Sequence, residues 1–154
     1  MVTKLDLINK VRSTDNRTAL QAIEEMRIRG WLTDGALRGI TLNRAQFQGA
    51  DLIEADLSFI DFHQAEMEFV DLRNANLNGA KLTRANLIGA NLSETNLTNA
   101  NLYKTNLRGC RNLTVEQLST VKRLWGAIMP DGEPYDGRYN LPADLEIVYL
   151  RAVV

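Results

Sequence analysis

A large apolar residue recurs at every fifth position through the middle of the chain. Residues 85–107 read ANLIGANLSETNLTNANLYKTNL, with leucine at each fifth place. In an α-helix, a step of five residues turns each leucine by about 140° around the axis, which scatters the leucines over the whole surface. In a flat strand, an odd step sends successive leucines to opposite faces. The period therefore excludes both an ordinary amphipathic helix and an ordinary strand.

The repeat runs without an insertion through 16 pentapeptides, residues 30–109. The central residue of each unit, called position i below, is leucine except at Phe47, Phe62 and Met67, and position i−2 is nearly always small or aliphatic. All the central side chains can point inward if each unit turns the chain through a right angle. A coil then closes after four units, or after three if its section is triangular. After Cys110 the phase slips by one residue, so we expect the array to end there.

The last residue of each unit, position i+2, distinguishes a square coil from a triangular one. Glycine or phenylalanine alternates there with polar residues, apart from Asn99. The polar residues split again with a period of twenty into an acidic or neutral set and a basic or neutral set, namely Asp34, Glu54, Asn74 and Glu94, then Arg44, Gln64, Arg84 and Lys104. Periods of ten and twenty fit a coil of four pentapeptides and do not fit a coil of three. The sequence therefore predicts an all-β solenoid of about four square coils, in which the small side chains at position i−2 leave room for the leucines.

Two phenylalanines occupy corner positions of the predicted coils. Phe59 lies between Gly39 and Gly79 in the stack, and Phe69 likewise has a glycine one coil below and one coil above. Glycine suits a tight corner because it tolerates backbone angles that other residues avoid. We expect each ring to cover a neighbouring glycine; partner binding by these rings is the alternative.

The segments ADLIEADL, ANLIGANL and ANLYKTNLRG resemble the pentapeptide repeat family, whose consensus is A(D/N)LXX. The resemblance implies a right-handed quadrilateral β-helix with positions i and i−2 pointing inward. The flanking segments RGWLTDGALRG and AIMPDGEPYDGRYNL are similar to those of a subgroup common in cyanobacteria, which carries a helical N-terminus.

An open solenoid exposes unpaired edges at both ends and needs caps. We expect residues 1–29 to form an N-terminal helical cap with helices near 3–12 and 17–29, ending at Gly30, and we expect Trp31 to plug the shaft. The apolar positions that these two helices would bury are Leu5, Ile8 and Val11, then Leu20, Ile23 and Met26.

The remaining residues, 110–154, are expected to form a mixed helix and hairpin cap. A capping box at 114–117 predicts a helix that runs through Leu124. Turn signals predict a hairpin around 127–139, and Pro142 fits the first turn of a last helix. With its two caps, the chain is expected to be one structural domain.

Few residues suggest chemistry. His63 falls at an outward position and is expected to be solvated, whereas Cys110 falls at an inward position and is expected to be buried and inert. The carboxylates Asp131, Glu133 and Asp136 lack calcium-loop spacing and fit turns instead. The sequence therefore predicts no catalytic, cofactor or metal site, and a protein that is not an enzyme.

The charges separate onto opposite sides of the predicted solenoid although the formal net charge is only −1. Residues 40–44, 60–64, 80–84 and 100–104, called the basic face, carry a net charge of +3, from Arg44, Lys81, Arg84 and Lys104 against Asp61. Residues 30–34, 50–54, 70–74 and 90–94, called the acidic face, carry −4, from Asp34, Asp51, Glu54, Asp71 and Glu94 against Arg73. The near-neutral total argues against direct nucleic-acid binding.

These features favour a non-catalytic interaction or scaffold protein that binds an unknown protein partner. The predicted docking residues are Arg44, Lys81, Arg84, Tyr103 and Lys104. The alternative is a modulator of DNA gyrase or topoisomerase that imitates DNA, as some family members do, although such proteins are strongly acidic. The chain has no apolar run long enough for a signal peptide or membrane span, so we expect a cytoplasmic protein with no membrane partner. A monomer is favoured, with a dimer through the C-terminal cap as the alternative.

Overall fold

The computed structural model describes residues 1–139, 141 and 144. Its helices among these residues are α1 (Lys4–Val11), α2 (Asn16–Ile28) and α3 (Val115–Ser119). The repeat region contains no extended strand; it pairs through single-residue parallel bridges. Strands stay this short because the chain turns after every side.

Each coil is built from four pentapeptides and has four sides. The residue at position i−1 pairs in parallel with the residue twenty positions later, as in the series Thr41, Asp61, Lys81 and Asn101. This spacing agrees with the square coil and excludes the triangular coil of three pentapeptides. Neighbouring coils are therefore stacked at the spacing of paired strands, about 4.8 Å.

Backbone hydrogen bonds join each coil to the coil before it and to the coil after it. The Leu82 N–H donates to the Asn101 carbonyl at 2.9 Å, and the Arg84 N–H donates to the Tyr103 carbonyl at 2.9 Å. In the other direction, the Asn101 N–H donates to the Ala80 carbonyl at 2.8 Å. The stack thereby satisfies buried backbone groups that would otherwise destabilise it.

Every corner is a β-turn whose third residue has a positive φ. At one corner the Ala85 N–H donates to the Leu82 carbonyl at 2.9 Å, and Arg84 has φ 58°. All the residues at position i+2 from 39 to 109 share this conformation, and ten of them are not glycine. A positive φ costs a non-glycine residue on the order of 1 kcal/mol or more, and the surrounding hydrogen bonds must hold it in place.

Aspartate or asparagine precedes most central leucines because its side chain completes the corner. The Asn101 Oδ1 accepts a hydrogen bond from the Tyr103 N–H at 3.0 Å, and the Asp61 Oδ1 accepts one from the His63 N–H at 3.1 Å. The same bond from the N–H at position i+1 occurs in ten units. The Asp or Asn of the consensus therefore has a structural reason: its side-chain oxygen accepts the hydrogen bond of the backbone N–H two residues later, at position i+1.

The shaft is filled by the side chains at positions i and i−2. The central residues from Leu32 to Leu107 are buried, and so are the alanines at position i−2. Where threonine replaces alanine, its hydroxyl bonds to the coil below: Thr95 Oγ1 donates to the Leu72 carbonyl and Thr105 Oγ1 to the Leu82 carbonyl, each at 2.7 Å. A small polar residue is therefore tolerated in the shaft only with a partner.

The two N-terminal helices pack together and contact the first coil. Capping side chains start both of them, Thr3 for α1 and Asp15 for α2. The Asn16 Nδ2 donates to the Gln48 carbonyl at 3.2 Å. The helix positions agree with the prediction, but the buried face of α1 does not: Leu7 is buried, whereas Leu5 is 64% exposed.

Trp31 does not plug the shaft. The ring is half-buried, and Lys4 Nζ and Arg29 Cζ lie 5.2 and 4.9 Å from its centroid. Met26 and Leu32 are the fully buried residues at this point of the chain. The smaller aliphatic side chains fit the interior, while the indole stays at the surface under two cations.

The ladder of bridges continues beyond residue 109. Arg111 pairs with Asn91, and after α3 the ladder resumes with Arg123 on Asn101, two positions further along the chain than the regular register would place it. A further bridge joins Asn106 to Ile128. The coil therefore absorbs α3 as an insertion and continues, so repeat-type pairing extends past the predicted end of the array.

The segment after the array only partly follows the prediction. The capping box at Thr114 and Gln117 is present, but its helix ends at Ser119, and Leu124 is a buried residue of the next coil. An antiparallel bridge from Ile128 to Pro134 forms a hairpin within the predicted range. The expected helix after Pro142 lies outside the described residues, and the domain boundaries remain predictions.

A buried carboxylate stands where the next coil would be. Asp144 is buried, and its two oxygens accept hydrogen bonds from the N–H groups of Leu124 and Trp125, at 3.0 and 3.1 Å. One coil earlier, the corresponding Leu102 N–H donates to the Arg123 carbonyl at 2.8 Å. The carboxylate therefore replaces the missing backbone acceptor at this edge.

Both exposed phenylalanine rings lie on glycine, as predicted. A Cβ added to Gly79 would lie 2.7 Å from Phe59 Cδ1, and one added to Gly89 would lie 2.6 Å from Phe69 Cδ1. Gly39 has the same φ as Gly79, +67°, but nothing within 4 Å. The pair Gly79 and Gly39 therefore separates the effect of backbone strain from the effect of ring packing.

We predict that Gly79→Ala lowers the free energy of unfolding by about 1 kcal/mol more than Gly39→Ala, because only the former displaces a ring. Urea denaturation of both variants measures the difference. Adding Phe59→Ala to each should make the two alanine substitutions equally destabilising. Equal losses in the presence of Phe59 would show that the ring contributes nothing at this corner.

We predict that Asp144→Ala lowers the free energy of unfolding by about 1–3 kcal/mol, because the buried Leu124 N–H and the half-buried Trp125 N–H lose this acceptor. Asp144→Asn keeps one acceptor oxygen and should lose less. Thermal and urea unfolding of the two variants measure the effect. A loss below about 0.5 kcal/mol for the alanine variant would contradict the role given to this carboxylate.

Candidate docking surface

The predicted docking residues lie on one side of the solenoid. Because Thr41, Asp61, Lys81 and Asn101 are stacked by their bridges, the turns that follow them are stacked too. The corner column contains one residue per coil, in the order Arg44, Gln64, Arg84 and Lys104. Tyr103 lies beside this column in the fourth row of the basic face.

Two of the predicted cations are engaged by neighbours on the same face. The Arg44 Nε donates to the Gln64 Oε1 at 3.1 Å. The Lys81 Nζ lies 3.8 Å from the Asp61 Oδ2, with its side chain 66% exposed. A pair this long and this exposed contributes little to stability.

Arg84 and Lys104 have no carboxylate partner among residues 1–139, 141 and 144. Both are exposed corner residues of consecutive coils. The stem of Lys104 lies over Gly126, where an added Cβ would be 2.9 Å from Lys104 Cγ. Its Nζ lies 5.3 Å from the ring centroid of Tyr103. Both charges thus remain available to an external anion.

The structure adds a fifth row that the sequence interpretation missed. The bridge from Asn101 to Arg123 places Arg123 directly beyond Asn101 and Trp125 directly beyond Tyr103 on the basic face, with Lys122 at the position before Arg123. Arg123 Cζ lies 5.8 Å from the Tyr103 centroid, so two cations, Lys104 and Arg123, lie near this ring. Lys122 is exposed. With these two cations the five rows of the face carry six positive charges against Asp61, a net +5, and the buried Asp144 carboxylate lies at the far edge of the fifth row.

A signal for this row is present in the sequence. Leu124 and Met129 are five positions apart, with Ala127 at position i−2 of the second unit. The phase slip after Cys110 hides it, because α3 adds residues between the fourth coil and the fifth. A search for the repeat in a new phase would have found the row.

Cations from the N-terminal helices neutralise part of the acidic face. The Lys4 Nζ lies 2.6 Å from the Asp34 Oδ2, and the Arg27 Nε lies 3.7 Å from the Asp51 Oδ2. The hydrogen bond from Lys4 lowers the pKa of the Asp34 carboxyl. The expected net charge of −4 therefore omits partners that lie far away in the sequence.

Further pairing occurs within the acidic face itself. An Arg73 guanidinium nitrogen lies 2.9 Å from the Asp71 Oδ2. Burial alone would raise the pKa of the Asp71 carboxyl, but the Arg73 hydrogen bonds outweigh it and the pKa is lowered. Arg111 joins this face through its bridge to Asn91. The acidic face is thus largely paired, whereas the basic face is not.

The other residues that the sequence singled out, His63, Cys110 and the turn carboxylates, lie in ordinary structural environments. His63 is half-buried at its outward position. The Cys110 Sγ donates to the Leu87 carbonyl at 3.0 Å, and burial raises the pKa of its thiol to about 12. Asp131 and Asp136 accept backbone hydrogen bonds within their own turns, as predicted.

In the described part of the chain, no three His, Cys, Asp or Glu side chains are grouped so as to hold a metal ion. None of the helices described there has the length and apolar character needed to span a bilayer.

The family model for pentapeptide repeats matches eight copies in this chain, over residues 41–79 and 75–111. The chain belongs to the pentapeptide repeat family. Members of this family form right-handed β-helices and are generally non-catalytic structural or interaction proteins. The coil of four pentapeptides and its pairing fit that fold.

Solved pentapeptide repeat proteins are similar to the chain. The protein Rfr23 from the cyanobacterium Cyanothece 51142 is 35% identical, with a TM-score of 0.53, over 62% of this chain and 64% of its own. HetL from Nostoc sp. strain PCC 7120, involved in heterocyst differentiation regulation, is 32% identical, with a TM-score of 0.36, over 62% and 43%. A protein of the Arabidopsis thaliana thylakoid lumen is 30% identical, with a TM-score of 0.33, over 68% and 74%.

The chain thus spans less than two thirds of the first two of these structures. No curated protein matches it.

We predict that Cys110 resists thiol reagents in the folded protein. With a pKa of about 12, about one thiol in ten thousand is ionised at pH 8, and only the thiolate reacts. Labelling with a disulfide reagent at pH 8 should be at least about 100-fold slower in buffer than in denaturing urea. Rapid labelling of the folded protein would contradict a half-buried thiol with a raised pKa.

Proposed function

We propose that this pentapeptide repeat protein is a non-catalytic docking protein whose basic face binds an acidic surface of a protein partner. The observation that carries the proposal is the pair Arg84 and Lys104. They are exposed, occupy the same corner of consecutive coils, and have no carboxylate partner among the described residues.

No carboxylate among residues 1–139, 141 and 144 offsets the repulsion between these two charges. Two like charges about 5 Å apart in water repel each other by roughly 0.8 kcal/mol before salt screens them. The corner conformation adds a second free-energy cost. Both residues have a positive φ, 58° for Arg84 and 56° for Lys104, and glycine would adopt this conformation at less cost. Carboxylates of a partner would convert the repulsion into attraction.

The acidic face, on the opposite side of the solenoid, differs from the basic face in that its charges are mostly paired, and this difference supports the same proposal. There, charges meet partners within the chain, as Asp34 does with Lys4 and Asp71 with Arg73. A chain that pairs its charges on one face and leaves a net +5 on another has a strongly polarised surface. Each exposed ion pair contributes at most about 1 kcal/mol, so several must act together, and they also speed association.

We also propose that α1 and α2 cap the first coil and that Asp144 closes the last described one. Contacts such as Asn16 with Gln48 and the hydrogen bonds from Leu124 and Trp125 support these roles. Edges that are closed in this way do not add strands from a second chain, which favours a monomer. A dimer through the C-terminal segment is the alternative, and sedimentation equilibrium distinguishes the two.

A gyrase-directed DNA mimic remains the alternative function. It requires a broad acidic surface, and the observed pairing of Asp34, Asp51 and Asp71 with cations weighs against it. A supercoiling assay with added protein distinguishes the two functions: the docking proposal predicts unchanged gyrase activity.

We predict that Arg84→Glu/Lys104→Glu abolishes capture of a specific partner from the lysate of the source organism. The matched control is Arg108→Glu/Arg111→Glu, which makes the same charge change at exposed positions outside the basic face. Quantitative pull-down should show wild type and control retaining the partner, with a loss of roughly tenfold or more for the basic-face variant. Circular dichroism and thermal unfolding establish that all three baits are folded.

Identical capture by all three baits would contradict the docking role of the basic face. Equal losses in both variants would do so too, because they would show a response to total charge and not to this face.

A further inference from the structure

One stretch of the acidic face lacks the pairing that joins its other rows, which are residues 30–34, 50–54, 70–74 and 90–94. Between the second and third rows, the Asp71 N–H donates to the Ala50 carbonyl at 2.9 Å. The carbonyls of Asp71 and Arg73 accept hydrogen bonds from N–H groups of the second row, each at 2.9 Å. The third row thus uses one N–H group and two carbonyls to bond to the row before it.

The same three groups of the second row have no backbone partner. The Asp51 N–H, the Asp51 carbonyl and the Ile53 carbonyl form no backbone hydrogen bond with any residue of 1–139, 141 or 144, and no bridge joins residues 31 and 51. The first row is out of register here: the Asp56 N–H donates to the Leu32 carbonyl at 2.8 Å, whereas the regular ladder would use residue 35. The edge of the second row that faces the first row is therefore unpaired on the acidic face.

This unpaired edge lines a groove of about 290 Å³. The groove is lined by Gly30 and Leu32 of the first row and by Asp51, Ile53 and Glu54 of the second row. Its volume is close to the lower limit for ligand pockets, about 300 Å³. Gly30 has no side chain and Leu32 is buried in the shaft, so another backbone can approach the edge from this side.

The groove carries an excess of negative charge. Glu54 is exposed and has no cation partner in the part of the chain that the structure describes. The Arg27 Nε lies 3.7 Å from the Asp51 Oδ2, but the same guanidinium binds the Glu24 carboxylate at 2.9 and 2.6 Å. One cation therefore faces three carboxylates at this end of the solenoid.

The unpaired groups select an extended backbone as the occupant. The carbonyls of Asp51 and Ile53 are two residues apart, about 6.7 Å along a strand, which is also the spacing of alternate N–H groups on a second strand. An α-helix has no free N–H groups along its middle, since each bonds to the carbonyl four residues earlier. An extended segment of another chain can therefore make the three hydrogen bonds that the first row does not make.

We propose that this groove binds an extended, basic segment of a partner protein, which adds to the second row as a short parallel strand. One carbonyl of the segment accepts from the Asp51 N–H, and two of its N–H groups donate to the carbonyls of Asp51 and Ile53. A lysine or arginine of the segment contacts Glu54, and the side chain that faces Leu32 is small. The basic face lies on the opposite side of the solenoid, so this interaction goes beyond the docking function proposed above.

A short peptide of alternating alanine and lysine, acetylated and amidated at its ends, tests this proposal. Its alanines are small enough to face Leu32, and the same residues then direct their N–H groups to the edge, because side chains and N–H groups alternate together along a strand. One control peptide is N-methylated at the alanines and cannot donate these hydrogen bonds, whereas a second is N-methylated at the lysines and can. NMR on the isotope-labelled full chain measures amide exchange and peptide affinity.

In the free chain, we expect the Asp51 amide to exchange with solvent about 100-fold or more faster than the hydrogen-bonded Asp71 amide. Saturating peptide should slow exchange of the Asp51 amide about tenfold or more. Methylation of the alanines should weaken binding about tenfold or more, because the hydrogen bonds are lost, and methylation of the lysines should not.

The matched variants of the chain are Glu54→Gln and Glu94→Gln. Both carboxylates are exposed and occupy the same corner column, with a positive φ of 59° and 54°. Glu54→Gln should weaken peptide binding about threefold or more, because an ion pair is lost. Glu94→Gln should leave binding unchanged, because this residue lies outside the groove.

Other results would overturn the proposal. A slowly exchanging Asp51 amide in the free monomer would show that the first row pairs with the second in solution. Equal binding of the two methylated peptides, or rapid exchange of Asp51 at saturation, would exclude strand addition. Equal losses in Glu54→Gln and Glu94→Gln would show a general attraction to the acidic face.

Two further results would also overturn it. Protection of the Asp51 amide that rises with protein concentration alone would identify a second copy of this chain as the occupant. Failure of the unmodified peptide to bind at millimolar concentration would exclude the basic segment. Neither result bears on the capture experiment, which tests Arg84 and Lys104 on the opposite side of the solenoid.

Discussion

The backbone hydrogen bonds between successive coils are the constraint on which the rest of the structure depends. A bond such as Leu82 N–H to the Asn101 carbonyl fixes the coil at four pentapeptides, and the turn at each corner follows from the need to close a square in four units. Position i+2 must then adopt a positive φ whether or not it is glycine. The strain at Arg84 or Lys104 persists because bonds above and below hold the same corner.

The same ladder divides the sequence into two kinds of position. Residues at i and i−2 fill the shaft and have little freedom beyond size, as Thr95 and Thr105 show by needing a carbonyl partner. Residues at i−1, i+1 and i+2 face outward, and only the Asp or Asn at i−1 has a recurrent structural task. The outward corner and row positions of this chain are therefore the ones that the shaft leaves free to vary.

The fold could be predicted from the sequence because the periods of five and twenty residues can be read directly from a single chain. The site could be predicted only in part. Arg123 and Trp125 were missed because α3 changes the phase of the repeat, a change that a fixed count of twenty does not detect. The charge of the acidic face was overestimated because Lys4 reaches Asp34 only once α1 has packed on the first coil. Leu5 and Trp31 were misplaced for a similar reason, since helix orientation depends on tertiary packing.

Every assignment of residues to faces rests on the register of four pentapeptides per coil, so the most direct test is to detect its hydrogen bonds. Scalar couplings across hydrogen bonds, measured by NMR on isotope-labelled protein, connect a donor nitrogen to its acceptor carbonyl carbon. The structure predicts couplings from the Leu82 nitrogen to the Asn101 carbonyl, and from the Met67 nitrogen to the Asn86 carbonyl. Couplings from these nitrogens to carbonyls one pentapeptide earlier, as three units per coil would give, would contradict the stacked square coil and the basic face built on it. Rapid exchange of these amides with solvent would contradict it too.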